Sequence, residues 1–187
     1  MSRIQEDSLL SHVTMVSHNS YLFKGTVREN LLMAAPMATE KEMEAALKKV
    51  NLYEFLKSQR GLDTELMERG SNFSGGQCQR LALARALLHD TPIYIFDEAA
   101  SNIDAESEEQ IMEVIRELSQ NHCVLLISHR LANVVDSRNI YVLSGGRLAE
   151  EGTHKELMGQ KGIYATLYSE QNILESYGSG KKVEAYA

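Results

Sequence analysis

Apolar positions along this chain follow two alternating periods. Short β-branched runs at His12–Val16, Ile93–Phe96, Cys123–Ile127 and Ile140–Leu143 predict buried strands. Between them, Ile111, Val114, Ile115 and Leu118 recur at i, i+3, i+4 and i+7, one apolar stripe on a helix opened by acidic residues. Met43, Ala46, Leu47 and Val50 form a second such stripe. Thr-x-x-Glu capping boxes at Thr26/Glu29, Thr39/Glu42 and Thr153/Glu156 predict three helix starts. The region from Lys24 to His89 lacks strand runs and reads as mainly helical. Strands then return with single helical crossovers, which predicts an α/β fold with a parallel sheet core and a helical insertion.

Composition narrows the class. The chain has 187 residues, 43% hydrophobic and 24% charged, the balance of a globular protein with a core. Its formal net charge of −7 argues against a nucleic-acid partner, which calls for a basic face. No apolar run approaches the roughly 18 residues of a membrane span, and Met1–Asp7 is too polar for a signal peptide. Cys78 and Cys123 make no disulfide framework, and both are expected to be structural in a reducing setting, Cys123 at the start of a buried strand.

Three stretches carry candidate chemistry. In Phe73-Ser74-Gly75-Gly76-Gln77-Cys78-Gln79-Arg80, Ser74 is placed to cap a helix running to Leu88, and the two glycines let another molecule approach the backbone. Such a helix N-terminus suits a phosphate. Ile93-Tyr94-Ile95-Phe96-Asp97-Glu98 is an apolar strand ending in two carboxylates, at the sheet edge where α/β proteins bind ligands. One carboxylate suits Mg²⁺ and the other suits water activation. His129 follows the strand Val124–Ser128 in the same way, where an imidazole can donate to a phosphoryl oxygen. Asp104 stands where it could cap the acidic helix that follows. Each has a plainer reading as a turn, a solvated strand end or a polar cap. Their order along the chain is the stronger signal.

Together these residues resemble the nucleotide-binding domain of ATP-binding cassette (ABC) transporters, a P-loop NTPase (RecA-like) fold with an inserted helical subdomain. The family's signature motif matches Phe73–Gln77, with Phe in place of the usual Leu, and Walker B matches Ile93–Asp97. The resemblance places the catalytic glutamate on Glu98, the D-loop on Ser101–Asp104 and the switch histidine on His129. Gly152–Leu157 and Gly162–Tyr164 look like the family's C-terminal stretch, so the likeness runs from Ile4 to Gln171. Phe23–Asn30 and Thr64–Gly70 are similar to exporter-type domains, in which the second stretch is the X-loop; Glu68 and Arg69 are thereby candidate contacts to a membrane domain.

The resemblance implies ATP and Mg²⁺ as cofactors. Ser74, Gly75, Gly76, Gln77 and Asp104 would contact nucleotide, and Asp97 and His18 would sit at the metal. It also implies a head-to-tail second nucleotide-binding domain as partner, and a place at the cytoplasmic face of the cell membrane. Two departures stand out. His18 occupies the Q-loop position where the family has Gln, and imidazole is a poor partner for the hard Mg²⁺ ion. No Gly-x-x-x-x-Gly-Lys-Ser/Thr loop occurs, and Gly178-Ser179-Gly180-Lys181-Lys182, in a tail expected to be loosely ordered, does not replace it. The expectation is a domain shortened at its N-terminus and inactive alone, because phosphoryl transfer depends on that cradle. Residues 1–23 read as a remnant of the sheet core and Q-loop region, and 24–91 as the helical subdomain with the signature. Residues 92–170 read as the sheet core with Walker B, D-loop and switch histidine, and 171–187 as a tail. Two alternatives remain open: an SMC-type DNA-associated ATPase lobe, disfavoured by the short His18–Ser74 interval and the negative charge, and a non-catalytic module completing a partner's ATP site.

Overall fold

The computed structural model describes residues 4–178, and the Ser179–Lys182 part of the tail lies outside them. The chain forms two compact units, one ending at Ile127 and one beginning at Ser128.

The first unit is built on three parallel strands, β1 (Val13–Ser17), β4 (Ile93–Asp97) and β5 (Cys123–Ile127), in the order β1-β4-β5. His12 ends a short helix, α1 (Glu6–His12), instead of opening the strand. Between β1 and β4 lie α2 (Val27–Leu32), α3 (Glu40–Lys49), α4 (Tyr53–Lys57) and α5 (Gly75–His89). Two short strands, β2 (Gly25–Thr26) and β3 (Glu65–Leu66), pair antiparallel within this insertion. The crossover helix α6 (Ala105–Leu118) joins β4 to β5.

Local sequence sets these boundaries. Thr26/Glu29 and Thr39/Glu42 both close reciprocal capping boxes, at α2 and α3. The stripe Met43, Ala46 and Leu47 on α3 is buried, as are Ile111, Val114 and Ile115 on α6. Asn30 is 1% exposed and ties the turn before α2: its Oδ1 accepts the Phe23 N–H at 2.9 Å, and its Nδ2 donates to the Phe23 and Thr26 carbonyls.

The expectation of fully buried strands fails for β1 and β5. Side chains alternate across the sheet, so Thr14, Val16, Tyr94 and Phe96 are buried. On the other face Met15 is 59%, Leu125 47% and Ile127 45% exposed. Cys123 is exposed for the same reason. An apolar run reports strand and apolarity; it does not report how many faces are covered.

In the second unit β6 (Ile140–Ser144) and β7 (Arg147–Gly152) form an antiparallel hairpin with an irregularity at Val142/Leu143. The helices α7 (His154–Gln160) and α8 (Ile163–Gly178) follow. Thr153/Glu156 caps α7 reciprocally. Both carboxylate oxygens of Glu150 accept the first N–H groups of α8, those of Ile163 and Tyr164.

Candidate functional site

Register brings the three strands of the first unit to a common edge: Ser17 pairs with Asp97, and Asp97 with Ile127. The His18 N–H donates to the Asp97 carbonyl at 3.1 Å, and the Glu98 N–H to the Ile127 carbonyl at 3.0 Å. His18, Asp97 and Glu98 therefore follow one another across the carboxyl ends of the sheet. Asp97 and Glu98 are both half-buried. Glu98 has φ +51°, a left-handed conformation costly for a residue with a Cβ, and Ser101 N–H closes the turn onto its carbonyl at 3.0 Å. Nothing in the sequence signals that strain, since glycine is its usual marker.

The Ser74–Gln77 stretch forms the N-terminus of α5. Ser74 Oγ accepts the Gln77 N–H at 3.2 Å, while Gln77 Oε1 accepts the Ser74 N–H at 2.9 Å. Gly75 is exposed there. Gly76 is buried against α6, where an added Cβ would fall 2.8 Å from Ser107 Cβ. Asp104 caps α6, its Oδ1 accepting the Ser107 N–H at 2.8 Å. That bond holds the Asp104 carboxyl below its ordinary range, with the Arg80 guanidinium adding a smaller pull. Two helix N-termini thus meet at Gly76, Asp104 and Ser107, and the partial positive charges of both converge where Gly75 is open.

Sequence reasoning passed over Gln79. It is buried on α5, and its Nε2 donates to the His18 carbonyl, which ties the signature helix to the end of β1. A cavity of about 590 Å³ lies beside this link, with His18, Cys78, Gln79, Ser101 and Asn102 among its lining. Gln79 Oε1 and Ser101 Oγ are both buried there without a hydrogen-bond partner among the described residues. Burial pushes the Cys78 thiol up, so it is the thiol rather than a metal-binding thiolate.

The donor set fits Mg²⁺ through Asp97, a hard carboxylate, better than through His18. His18 Nε2 lies 2.7 Å from Asn19 Nδ2, which occupies its lone pair when the amide donates. Among the described residues no group of three or more His, Cys, Asp or Glu is arranged to hold a metal.

His129 lies in the second unit, just beyond Ser128. Ser128 Oγ accepts the Arg130 N–H at 3.0 Å and fixes the turn that carries it. In the first unit Glu68 and Arg69 stand exposed in a tight turn, with Arg69 at φ +57° and Met67 exposed beside them. Tyr21 and Phe23 are also exposed, their rings packed edge to face at 4.8 Å.

Comparisons with known proteins point to one family. Residues 1–101, more than half of the chain, match the family model described as "ABC transporter". An uncharacterised ABC transporter ATP-binding protein of Haemophilus influenzae is 53% identical over 172 residues, 92% of this chain and 31% of that protein. A Staphylococcus aureus protein provisionally named a multidrug export ATP-binding/permease protein is 42% identical over 167 residues, 89% of this chain and 29% of that one. The solved structure of a bacterial Atm1-family ABC exporter with ATP bound superposes with a TM-score of 0.87 at 35% identity, covering 92% of this chain and 30% of that chain. The chain spans about 30% of the length of these relatives.

Proposed function

Because the chain belongs to the ABC transporter family, we propose that it is the ATP-binding and ATP-hydrolysing portion of an exporter, working at the cytoplasmic face of a membrane. The observation that carries this is the first unit's pairing of two features. Asp97 ends β4 at the sheet's carboxyl edge with Glu98 directly after it, and α5 presents a capped N-terminus with Gly75 open. The SMC-type reading has no observation in its favour.

In this reading Glu98 accepts a proton from, or orients, the attacking water, and Asp97 is the residue that would hold Mg²⁺. Bound there, Mg²⁺ would neutralise charge that develops on the phosphates. His129 donates to the γ-phosphate. Ser74, Gly75, Gly76 and Gln77, next to Asp104, offer backbone N–H groups and a helix dipole to the γ-phosphate of a nucleotide held by a second, head-to-tail domain. His18 serves through its backbone, which links Asp97 to Gln79. The exposed Glu68–Arg69 turn, with Met67 beside it, is the contact to the membrane domain. Among the described residues no helix is long and apolar enough to cross a membrane.

ATP turnover tests this at two levels. The chain alone should hydrolyse no ATP, because its sequence contains no Gly-x-x-x-x-Gly-Lys-Ser/Thr cradle. An intact transporter carrying it should turn over ATP, and Glu98→Gln should lower kcat by about 10²–10⁴-fold with nucleotide still bound. Glu98-dependent turnover by the chain alone, or a Glu98→Gln transporter of normal rate, refutes the assignment.

A further inference from the structure

We infer that Gln171 is a positioning residue for His129, and that the C-terminal helix α8 thereby sets the state of the histidine turn. The inference rests on the functional reading above for His129's role and on the second unit's geometry for the rest. Gln171 Nε2 donates to the His129 carbonyl at 3.0 Å, and Gln171 Oε1 accepts the Leu131 N–H at 2.6 Å. One side-chain amide thus satisfies the acceptor of residue i and the donor of residue i+2, across a separation of 40 residues from Leu131. This is a two-point clamp on the backbone that carries His129, and a single-point contact would leave the turn free to pivot.

A second contact strengthens the clamp. Arg130 Nη2 lies 3.7 Å from Glu175 Oε1, one helical turn along α8 from Gln171. Ser128 Oγ closes the turn from within, accepting from Arg130 N–H and donating to the Arg130 carbonyl at 3.1 Å. The turn therefore depends on α8 for the His129 carbonyl and the Leu131 N–H, and on Ser128 for the residue between. The N-terminus of α8 is held separately, by Glu150. The helix is anchored at one end and grips the histidine turn further along, so a force or partner that shifts its distal half would move His129 without touching nucleotide. Gln171 acts through the backbone of the His129 turn.

Hydrogen exchange on the chain reads the clamp, and turnover in the intact transporter reads its consequence. In Gln171→Ala, exchange at the Leu131 amide should quicken by about tenfold, while the Leu157 and Tyr164 amides keep wild-type protection. The transporter with that change should lose about tenfold in kcat with KM for ATP within about twofold, the pattern of a misaligned group rather than a lost binding contact. Gln171→Glu preserves side-chain length and the acceptor for Leu131 but has no donor for the His129 carbonyl. It should keep Leu131 protected and still lower kcat, which covers the case in which Gln171→Ala loosens the whole unit. Unchanged Leu131 exchange in Gln171→Ala overturns the clamp. Lost protection with normal kcat overturns its role toward His129. A transporter without Glu98-dependent turnover would instead overturn the functional reading and leave the exchange result standing.

Discussion

Gly76 and Ser107 meet where α5 and α6 begin, and the space between them admits no side chain: a Cβ on Gly76 would lie 2.8 Å from Ser107 Cβ and 3.3 Å from Asp104 Oδ2. The two glycines of the signature stretch therefore do different things. Gly76 lets two helices touch, whereas a Cβ on Gly75 would make ordinary contact, 3.7 Å from Ile103 Cγ2. Gly76→Ala should destabilise the chain by about 1–3 kcal/mol through overpacking. Gly75→Ala should leave stability unchanged or raise it by up to about 1 kcal/mol, since alanine is the better helix former. Urea midpoints of the two variants decide this; equal midpoints would mean that the helices separate freely at Gly76.

Asn30 offers a second test, within the insertion. Replacing it by Ala removes one acceptor and one amide that serves two carbonyls, at a site 1% exposed. The loss should be about 2–4 kcal/mol, because the Phe23 N–H and two carbonyls are left without their partner. Thermal unfolding with far-UV detection reads it, and a drop in Tm too small to resolve would show that water takes over those bonds.

How far could the sequence be read? Features closed over three or four residues were plain in it. Thr26/Glu29, Thr39/Glu42 and Thr153/Glu156 all form as spaced, because a capping box needs no tertiary partner. The runs that became β1, β4, β5 and β6 were visible within a residue or so at each end. Strand β7 was not, since Arg147–Gly152 carries charge and glycine instead of a β-branched run. Neither was the coverage of β5, nor the exposure of Cys123, because apolarity does not say what lies on each face. Gln79, Gln171 and Ser107 carry no sequence signal for one shared reason: each matters through a contact 30 or more residues away, and a lone Gln or Ser has no local pattern. The ordered set Ser74–Gln77, Asp97–Glu98 and His129 is legible as a family resemblance, whereas the left-handed turn at Glu98 has no mark in the sequence.

Acid should weaken the helix starts in a defined sense. The Glu42, Asp104 and Glu156 carboxyls are all held below their ordinary values, 4.5 for Glu and 3.8 for Asp, by backbone N–H groups at their caps. A depressed folded value means that the stabilisation is complete above the unfolded value and is lost as pH falls through the folded one. The Tm gap between wild type and Asp104→Ala should therefore be constant from neutral pH down to about 5 and should narrow below about 4. A gap that widens on acidification would reverse the assigned sign.

The uncovered face of the sheet yields the last prediction. Parallel strands are ordinarily packed on both faces, yet Met15, Leu125 and Ile127 present apolar side chains at 59%, 47% and 45% exposure, and β5 is an edge of its sheet. Water ordered over that face carries a free-energy cost of about 25 cal/mol for each Å² of apolar surface, which a second apolar surface relieves. The isolated chain should accordingly enhance the fluorescence of a hydrophobic dye and show sedimentation coefficients that rise with concentration. Leu125→Lys places a charge within the patch, on the edge strand where lysine discourages pairing, so both signals should fall together while the helical content is retained. Gln59→Lys adds the same single charge on an exposed, uncharged residue outside the patch and should change neither signal. Equal suppression by the two substitutions would point to net charge, not the bare face, as the cause of association.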